Sequence, residues 1–296
     1  MKRFAILLAT ACLLCPSLTH ARVLFTQKSL YRNITVTDDG TRRCLKFSIH
    51  RDIVQEESCI YDEDHDRLVF DYTRLVLAGL LLDPNPRKIL IAGLGGGVLP
   101  RTLRELYPDA RIDTVEIDPA VVDVAEQYFD YKPDAKQHVI VSDARVDIKR
   151  AIARGDHYDM IILDAFNGEY IPPHLMTVEF LRECRQLLAD NGVLVANTFS
   201  TSKLYDSESV TYQKAFGWFL NLRRVDGNRI VLTRKGKPVS PSELRQAAGQ
   251  YTRDLTRFGV DLNKVAAIAS DQVDWDPNAR VLTDQYSPVN LLNGRD

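Results

Sequence analysis

The sequence predicts an α/β protein, an open and largely parallel sheet with helices on its faces, preceded by a small antiparallel β region. Three observations carry this. Short apolar runs alternate with helical patterns from Lys88 onward. A glycine cluster (Gly93, Gly95, Gly96, Gly97) follows the first run. The next three runs each end in an acid, at Glu116, Asp143 and Asp164.

The first run, Ile89-Leu90-Ile91-Ala92, has the composition of a strand buried on both faces. Val98 to Tyr107 then has apolar residues at helical spacing, with Pro100 in the first turn, where its missing N–H costs nothing. In a strand–turn–helix context, glycines let the backbone turn sharply and bring a ligand close to the helix N-terminus. Glu116 closes the second strand (Ile112–Glu116) at the spacing of about 20 residues where an acid takes ribose hydroxyls. The third strand, His138–Val141, runs into Ser142-Asp143, and the fourth, Tyr158–Leu163, into Asp164. Carboxyl ends of such strands are where open α/β sheets bind ligands. The competing reading of each acid is a helix N-cap, worth about 1 kcal/mol. Three in series after a glycine turn favour a site.

Helices are expected at Leu75–Leu82, Ala120–Phe129, Val146–Arg154 and Thr177–Leu188, and a fifth strand at Gly192–Asn197. Asn221 to Arg234 reads as a hairpin around Asp226-Gly227-Asn228. Residues 241–270 read as amphipathic helix, and Trp218 and Phe219 as core.

Upstream, residues 22–80 form the β-strand region, with alternating segments around Asn33-Ile34-Thr35-Val36 and Cys44–Ile49 and a turn at Asp38-Asp39-Gly40. Residues 1–21 (a charged start at Lys2-Arg3, an apolar run from Phe4 to Cys15, then Thr19-His20-Ala21) predict a secretory signal peptide, too short to span a membrane stably. Export to the periplasm follows; the cytoplasm is the alternative if that reading fails. The domain division is therefore 1–21, 22–80 and 81–296. With 45% hydrophobic residues, 26% charged residues and a net charge of −2, the 296-residue chain offers no basic field for nucleic acid. Beyond the leader, Cys44 and Cys59 could pair or both be free thiols, with Cys184 free in a helix. No His/Cys cluster has metal-ligand spacing, so no metal is expected.

From about Gln27 onward the chain resembles the spermidine synthase family of aminopropyltransferases. The resemblance rests on Gln55, Phe70-Asp71-Tyr72, the glycine loop, Val115-Glu116-Ile117-Asp118-Pro119, Ser142-Asp143-Ala144 and Tyr158–Phe166. The ending Leu282-Thr283-Asp284-Gln285-Tyr286-Ser287-Pro288-Val289 adds to it. It implies the seven-strand, Rossmann-type sheet of class I methyltransferases. It also implies a co-substrate, decarboxylated S-adenosylmethionine or S-adenosylmethionine, with no permanently bound cofactor, and an amine acceptor. By position, Glu116 would accept from the ribose hydroxyls, Asp143 and Ala144 would hold the adenine, and Gln55 would close over the nucleoside. Gly93, Gly95 and Gly97 would form the loop, and Asp164 would take the proton of the attacking amine. Tyr72, Asn167 and Tyr170 are candidates for the amine side. A homodimer is implied by resemblance alone.

The chain departs from the family at three places. Gly95 stands where the glycine loop carries an Asp for the donor's amino group, and Asn167 where a second Asp follows the first. Tyr72-Thr73-Arg74 replaces Tyr-His-Glu, and Arg74 would repel a polyamine if it faced the site. This pattern resembles the spermidine synthase-like branch. A methyltransferase using S-adenosylmethionine itself, or an exported binding protein on the same fold, are the alternatives. His174, after Pro172-Pro173, reads as a surface-loop histidine.

Overall fold

The computed structural model describes residues 21–48, 55–166, 170–223 and 227–288. Residues 1–20 of the predicted leader and the candidate Asn167 lie outside the described residues.

Four strands form an antiparallel meander at the N-terminal end: β1 (Arg22–Lys28), β2 (Asn33–Asp38), β3 (Arg42–Ser48) and β4 (Gln55–Tyr61). The register sets Cys44 opposite Cys59, and the two are joined by a disulfide. Leu45 faces Ser58 and Lys46 faces Glu56, so Glu57 is an extra residue, a β-bulge on β4.

The chain then enters α1 (Asp71–Val76), which tightens into a 3-10 turn at Leu77–Leu81. The helix expected at Leu75–Leu82 thus starts earlier and ends as a 3-10 turn. Gly79 in this turn lies close against the sheet, since a Cβ there would be 2.7 Å from the Val195 side chain.

The main sheet follows in regular alternation: β5 (Lys88–Ala92), α2 (Val98–Leu106), β6 (Arg111–Glu116), α3 (Pro119–Tyr128), β7 (Gln137–Val141), α4 (Ala144–Ala153), β8 (Tyr158–Leu163), α5 (Val178–Leu187) and β9 (Leu188–Phe199). Then come α6 (Tyr205–Phe216), β10 (Leu220–Arg223), β11 (Asn228–Arg234), α7 (Pro241–Gln250), α8 (Leu262–Ala267) and β12 (Ala269–Ser270). Strand order is β12-β10-β11-β9-β8-β5-β6-β7. Strands β5 to β9 pair in parallel, and β10, β11 and β12 close that edge antiparallel. The sheet is thus the expected one, extended by a two-residue eighth strand.

Alternation on a pleated strand explains the apolar runs. Ile89, Ile91, Met160, Ile162, Val193 and Val195 enter one core layer, while Leu90, Ala92, Ile161, Leu163, Leu194 and Ala196 enter the other. Helices cover both faces, so the central strands β5 and β8 read as near-continuous apolar runs.

Residues 241–270 do not make one helix. A full capping box at Ser240 and Glu243 starts α7, which stops at Gln250. A left-handed Gly259 then turns the chain, and Asp261 caps α8. Local stop and start signals override the amphipathic pattern.

From β5 the chain steps to β6 and β7 on one side, then returns to β8 on the other. The carboxyl ends of β5 and β8 therefore flank the switch point of the sheet, where such folds open a crevice.

Candidate functional site

The crevice is real and deep. The space it spans, open solvent at its mouth included, is about 950 Å³, and its lining includes Glu57, Tyr72, Gly93, Gly95, Glu116, Asp143, Ala144 and Asp164. Tight packing builds its floor. Gly93 (φ +101°) has no room for a Cβ, which would overlap the backbone carbonyl of Asp164, so the ends of β5 and β8 touch. Gly97 (φ +72°) caps α2 in the left-handed region with a Cβ position 2.5 Å from the Tyr131 ring. Gly97 therefore shapes the turn from behind and is not itself part of the lining. Gly95 (φ +54°) is different. A Cβ there meets only Ser58 of β4, at 3.6 Å.

Glu116 is buried at the end of β6, and its carboxylate is held from both sides. Oε2 accepts from the Leu94 N–H of the glycine loop and Oε1 from the Asp118 N–H, each at 3.0 Å. Burial raises its pKa above the ordinary value, against these two bonds. Each oxygen keeps a further lone pair for a ligand hydroxyl.

Asp143 serves as the N-cap of α4, accepting from Val146 N–H at 2.9 Å through Oδ1. Its other oxygen meets His174 Nε2 at 2.7 Å. His174 is exposed, as a loop histidine should be, but it also lines the crevice. Its loop is fixed from below. Arg145 reaches both oxygens of Glu183 and both of Asp284 at 2.7–2.9 Å, and also donates to the His174 carbonyl at 3.3 Å. The C-terminal segment Leu282–Ser287 is thereby stitched beside the site, with Thr177 Oγ1 donating to Asp284 and Ser287 Oγ to the Pro173 carbonyl.

Asp164 stands across from Glu116. Asn197 Nδ2, at the end of the neighbouring β9, donates to Oδ1 at 2.8 Å, and the Tyr72 hydroxyl lies 3.5 Å from Oδ2. The Asn197 amide is oriented in turn by Asn228, which donates to its Oδ1 at 2.9 Å. Loss of solvation pushes the Asp164 pKa up to about 7, with the two donors opposing the rise. A carboxyl poised there can exchange a proton at neutral pH.

Two groups in the crevice were not among the expected site residues. The bulge turns Glu57 inward, where its Oε1 is buried without a hydrogen-bond partner. Its pKa is pushed up to about 8 by burial, with Arg32 lowering and Asp164 raising it. Arg32, from the turn before β2, donates to the Phe166 carbonyl at 3.0 Å and stacks over Phe47 at 4.4 Å.

Two expected site residues sit elsewhere, and Arg74 does not face the site. Gln55 is exposed at the start of β4 and does not line the crevice, because the bulge places the inward step at Glu57. Tyr170 packs beside Met176, Leu204 and Leu282, away from the lining. Arg74 turns out of the site toward Asp71 and the carbonyls of Leu68 and Val69. Among the described residues, the group of potential metal ligands that converges is Cys44, Glu56 and Cys59, and its two sulfurs are already bonded to each other.

The model of the spermine/spermidine synthase domain matches residues 70–217. A polyamine aminopropyltransferase of Vibrio vulnificus (strain CMCP6) is 47% identical over 292 residues, 97% of this chain and 97% of that one. The eEF1A lysine and N-terminal methyltransferase of Mus musculus is 31% identical over 216 residues, 66% of this chain and 31% of that one. Among solved structures, a probable spermidine synthase from Corynebacterium glutamicum ATCC 13032 superposes with a TM-score of 0.64 at 24% identity, over 87% of this chain and 98% of that one.

Proposed function

The chain belongs to the spermidine synthase family, and from that premise we propose that it is an aminopropyl transferase acting on an adenosyl sulfonium donor. In this reading the donor is decarboxylated S-adenosylmethionine, the acceptor is a small amine, and methylthioadenosine leaves. The observation that carries it is Asp164, a carboxyl with a pKa near 7 at the switch point, facing a crevice that also holds Glu116 and Asp143.

Glu116 accepts from the ribose hydroxyls with the lone pairs its two backbone N–H donors leave open. Asp143 and Ala144 hold the adenine at the start of α4. The sulfonium makes its adjacent carbon electrophilic without help, so the protein has chiefly to orient the amine and accept its proton. Asp164 does the second. The nitrogen lone pair attacks the carbon next to sulfur, the C–S bond breaks onto sulfur, and the proton passes to the carboxylate. Tyr72 fixes the carboxylate from the amine side.

We propose further that the protein works in an oxidising compartment; the Cys44–Cys59 disulfide supports that reading. No helix among the described residues is long and apolar enough to cross a membrane. The methyltransferase reading keeps one specific support, the likeness to the mouse methyltransferase. Thermal unfolding with methylthioadenosine, S-adenosylmethionine and the decarboxylated donor tests the assignment. The decarboxylated donor should give the largest shift. Preference for S-adenosylmethionine would move the assignment to methyl transfer, and no shift with any of them would end it.

A further inference from the structure

Glu57 has no structural work to do. It is the extra residue of a bulge, its Oε1 is buried without a partner, and no ion pair joins it to another described residue. Burying a carboxyl this way costs free energy unless something compensates it. Bulges beside a site commonly re-aim one side chain, and this one aims Glu57 into the crevice. Arg32 is the cation nearest in effect; its Nη1 donates to the Phe166 carbonyl and its guanidinium stacks on the Phe47 ring, while its Nε is buried without a partner and makes no hydrogen bond to Glu57.

The other acids of the crevice already have duties in the function proposed above. Glu116 and Asp143 face the nucleoside, and Asp164 must be free to take a proton. A fixed positive charge on the ligand therefore needs a different carboxylate. We propose that Glu57 anchors the primary ammonium of the donor's aminopropyl arm, and is the residue by which the crevice selects a nucleoside carrying that charge. Its neighbour Ser58 lies against the glycine loop at the one point where the loop is open, beside Gly95. The bulge thus brings a carboxylate to a stretch of the loop that presents no side chain of its own. Ammonium binding would also ionise a carboxyl whose resting pKa is about 8, releasing a proton near neutral pH.

This rests on the crevice being an adenosyl thioether site, and the test separates the two claims. The ligands are the n-propyl and the 3-aminopropyl thioethers of adenosine, which differ by one primary ammonium and both lack the sulfonium. Binding is measured by calorimetry near pH 7 in two buffers of different ionisation enthalpy, with wild type, Glu57→Gln and the double variant Glu57→Gln/Gly95→Asp. A Cβ at Gly95 makes only an ordinary contact with Ser58, at 3.6 Å, and Asp is among the residues that enter its left-handed backbone conformation at the least cost. The expected result is that wild type binds the aminopropyl nucleoside at least about tenfold more tightly, with proton release. Glu57→Gln should lose both while keeping its affinity for the propyl thioether, and the double variant should regain the preference. An unchanged preference in Glu57→Gln overturns the role of Glu57 alone. Failure of wild type to bind either nucleoside overturns the site assignment and this inference with it.

Discussion

Asn197 Nδ2 donates to Asp164 Oδ1 at 2.8 Å, joining the carboxyl ends of two adjacent parallel strands. The bond orients the carboxylate and favours its ionised form, against a burial that pushes the pKa up to about 7. Removing the donor in Asn197→Ala should raise that pKa by about one unit, the scale of a hydrogen bond to a charged group. A base works ionised, so kcat/KM should climb as pH rises through about 7 in wild type. In the variant the climb should lie at higher pH. A pH–rate profile reads this directly, and coincident profiles would remove Asn197 from the account.

Glu116 depends on two backbone N–H groups that also define the glycine loop. Glu116→Gln keeps the shape but must turn an NH₂ toward one of those donors. Methylthioadenosine affinity should fall about tenfold or more in a calorimetric titration.

The unliganded protein should lose stability as pH rises from about 4 to 8. Glu57 and Asp164 ionise near 4.5 and 3.8 when unfolded but near 8 and 7 when folded. Across that window the folded chain holds more protons, so each rise in pH favours unfolding; above about 8 the effect is complete. Glu57→Gln should flatten the upper part of the curve. Chemical unfolding at stepped pH checks it.

Gly97→Ala should destabilise by about 2–4 kcal/mol, since it combines a left-handed backbone with a collision against Tyr131. Unfolding midpoints in urea measure this. Replacing Cys44 and Cys59 by Ser opens a loop with a sequence separation of 15, worth about 3 kcal/mol, and reductant should lower the wild-type melting temperature toward that of the variant.

Much of this site was legible in the sequence because its residues occupy positions that a periodic pattern defines. Glu116, Asp143 and Asp164 end apolar strands after a glycine turn, and parallel pairing brings such ends together. Asn197 ends the fifth strand as the sequence predicts it, Gly192–Asn197, and could have been found by the same rule, although β9 itself runs on to Phe199. Glu57 could not. Alternation puts Gln55 and Glu57 on one face of β4, and only the register slip between Leu45 and Lys46 makes Glu57 the inward residue. Arg32 and His174 reach the crevice from loops, whose placement follows from contacts far along the chain, such as Arg145 with Asp284. The helix expected over 241–270 broke because capping at Ser240 and Asp261 and the turn at Gly259 outweighed its hydrophobic period.

The central claim is amine-dependent transfer with Asp164 as the proton acceptor. The direct measurement is release of methylthioadenosine from decarboxylated S-adenosylmethionine by wild type and Asp164→Asn, with a panel of small diamines. The account predicts release that requires an amine and falls about 10²–10⁴-fold in Asp164→Asn, whose nucleoside affinity stays within about threefold of wild type. Undiminished turnover in Asp164→Asn, or no amine-dependent release from a wild-type protein that binds the donor, would contradict it.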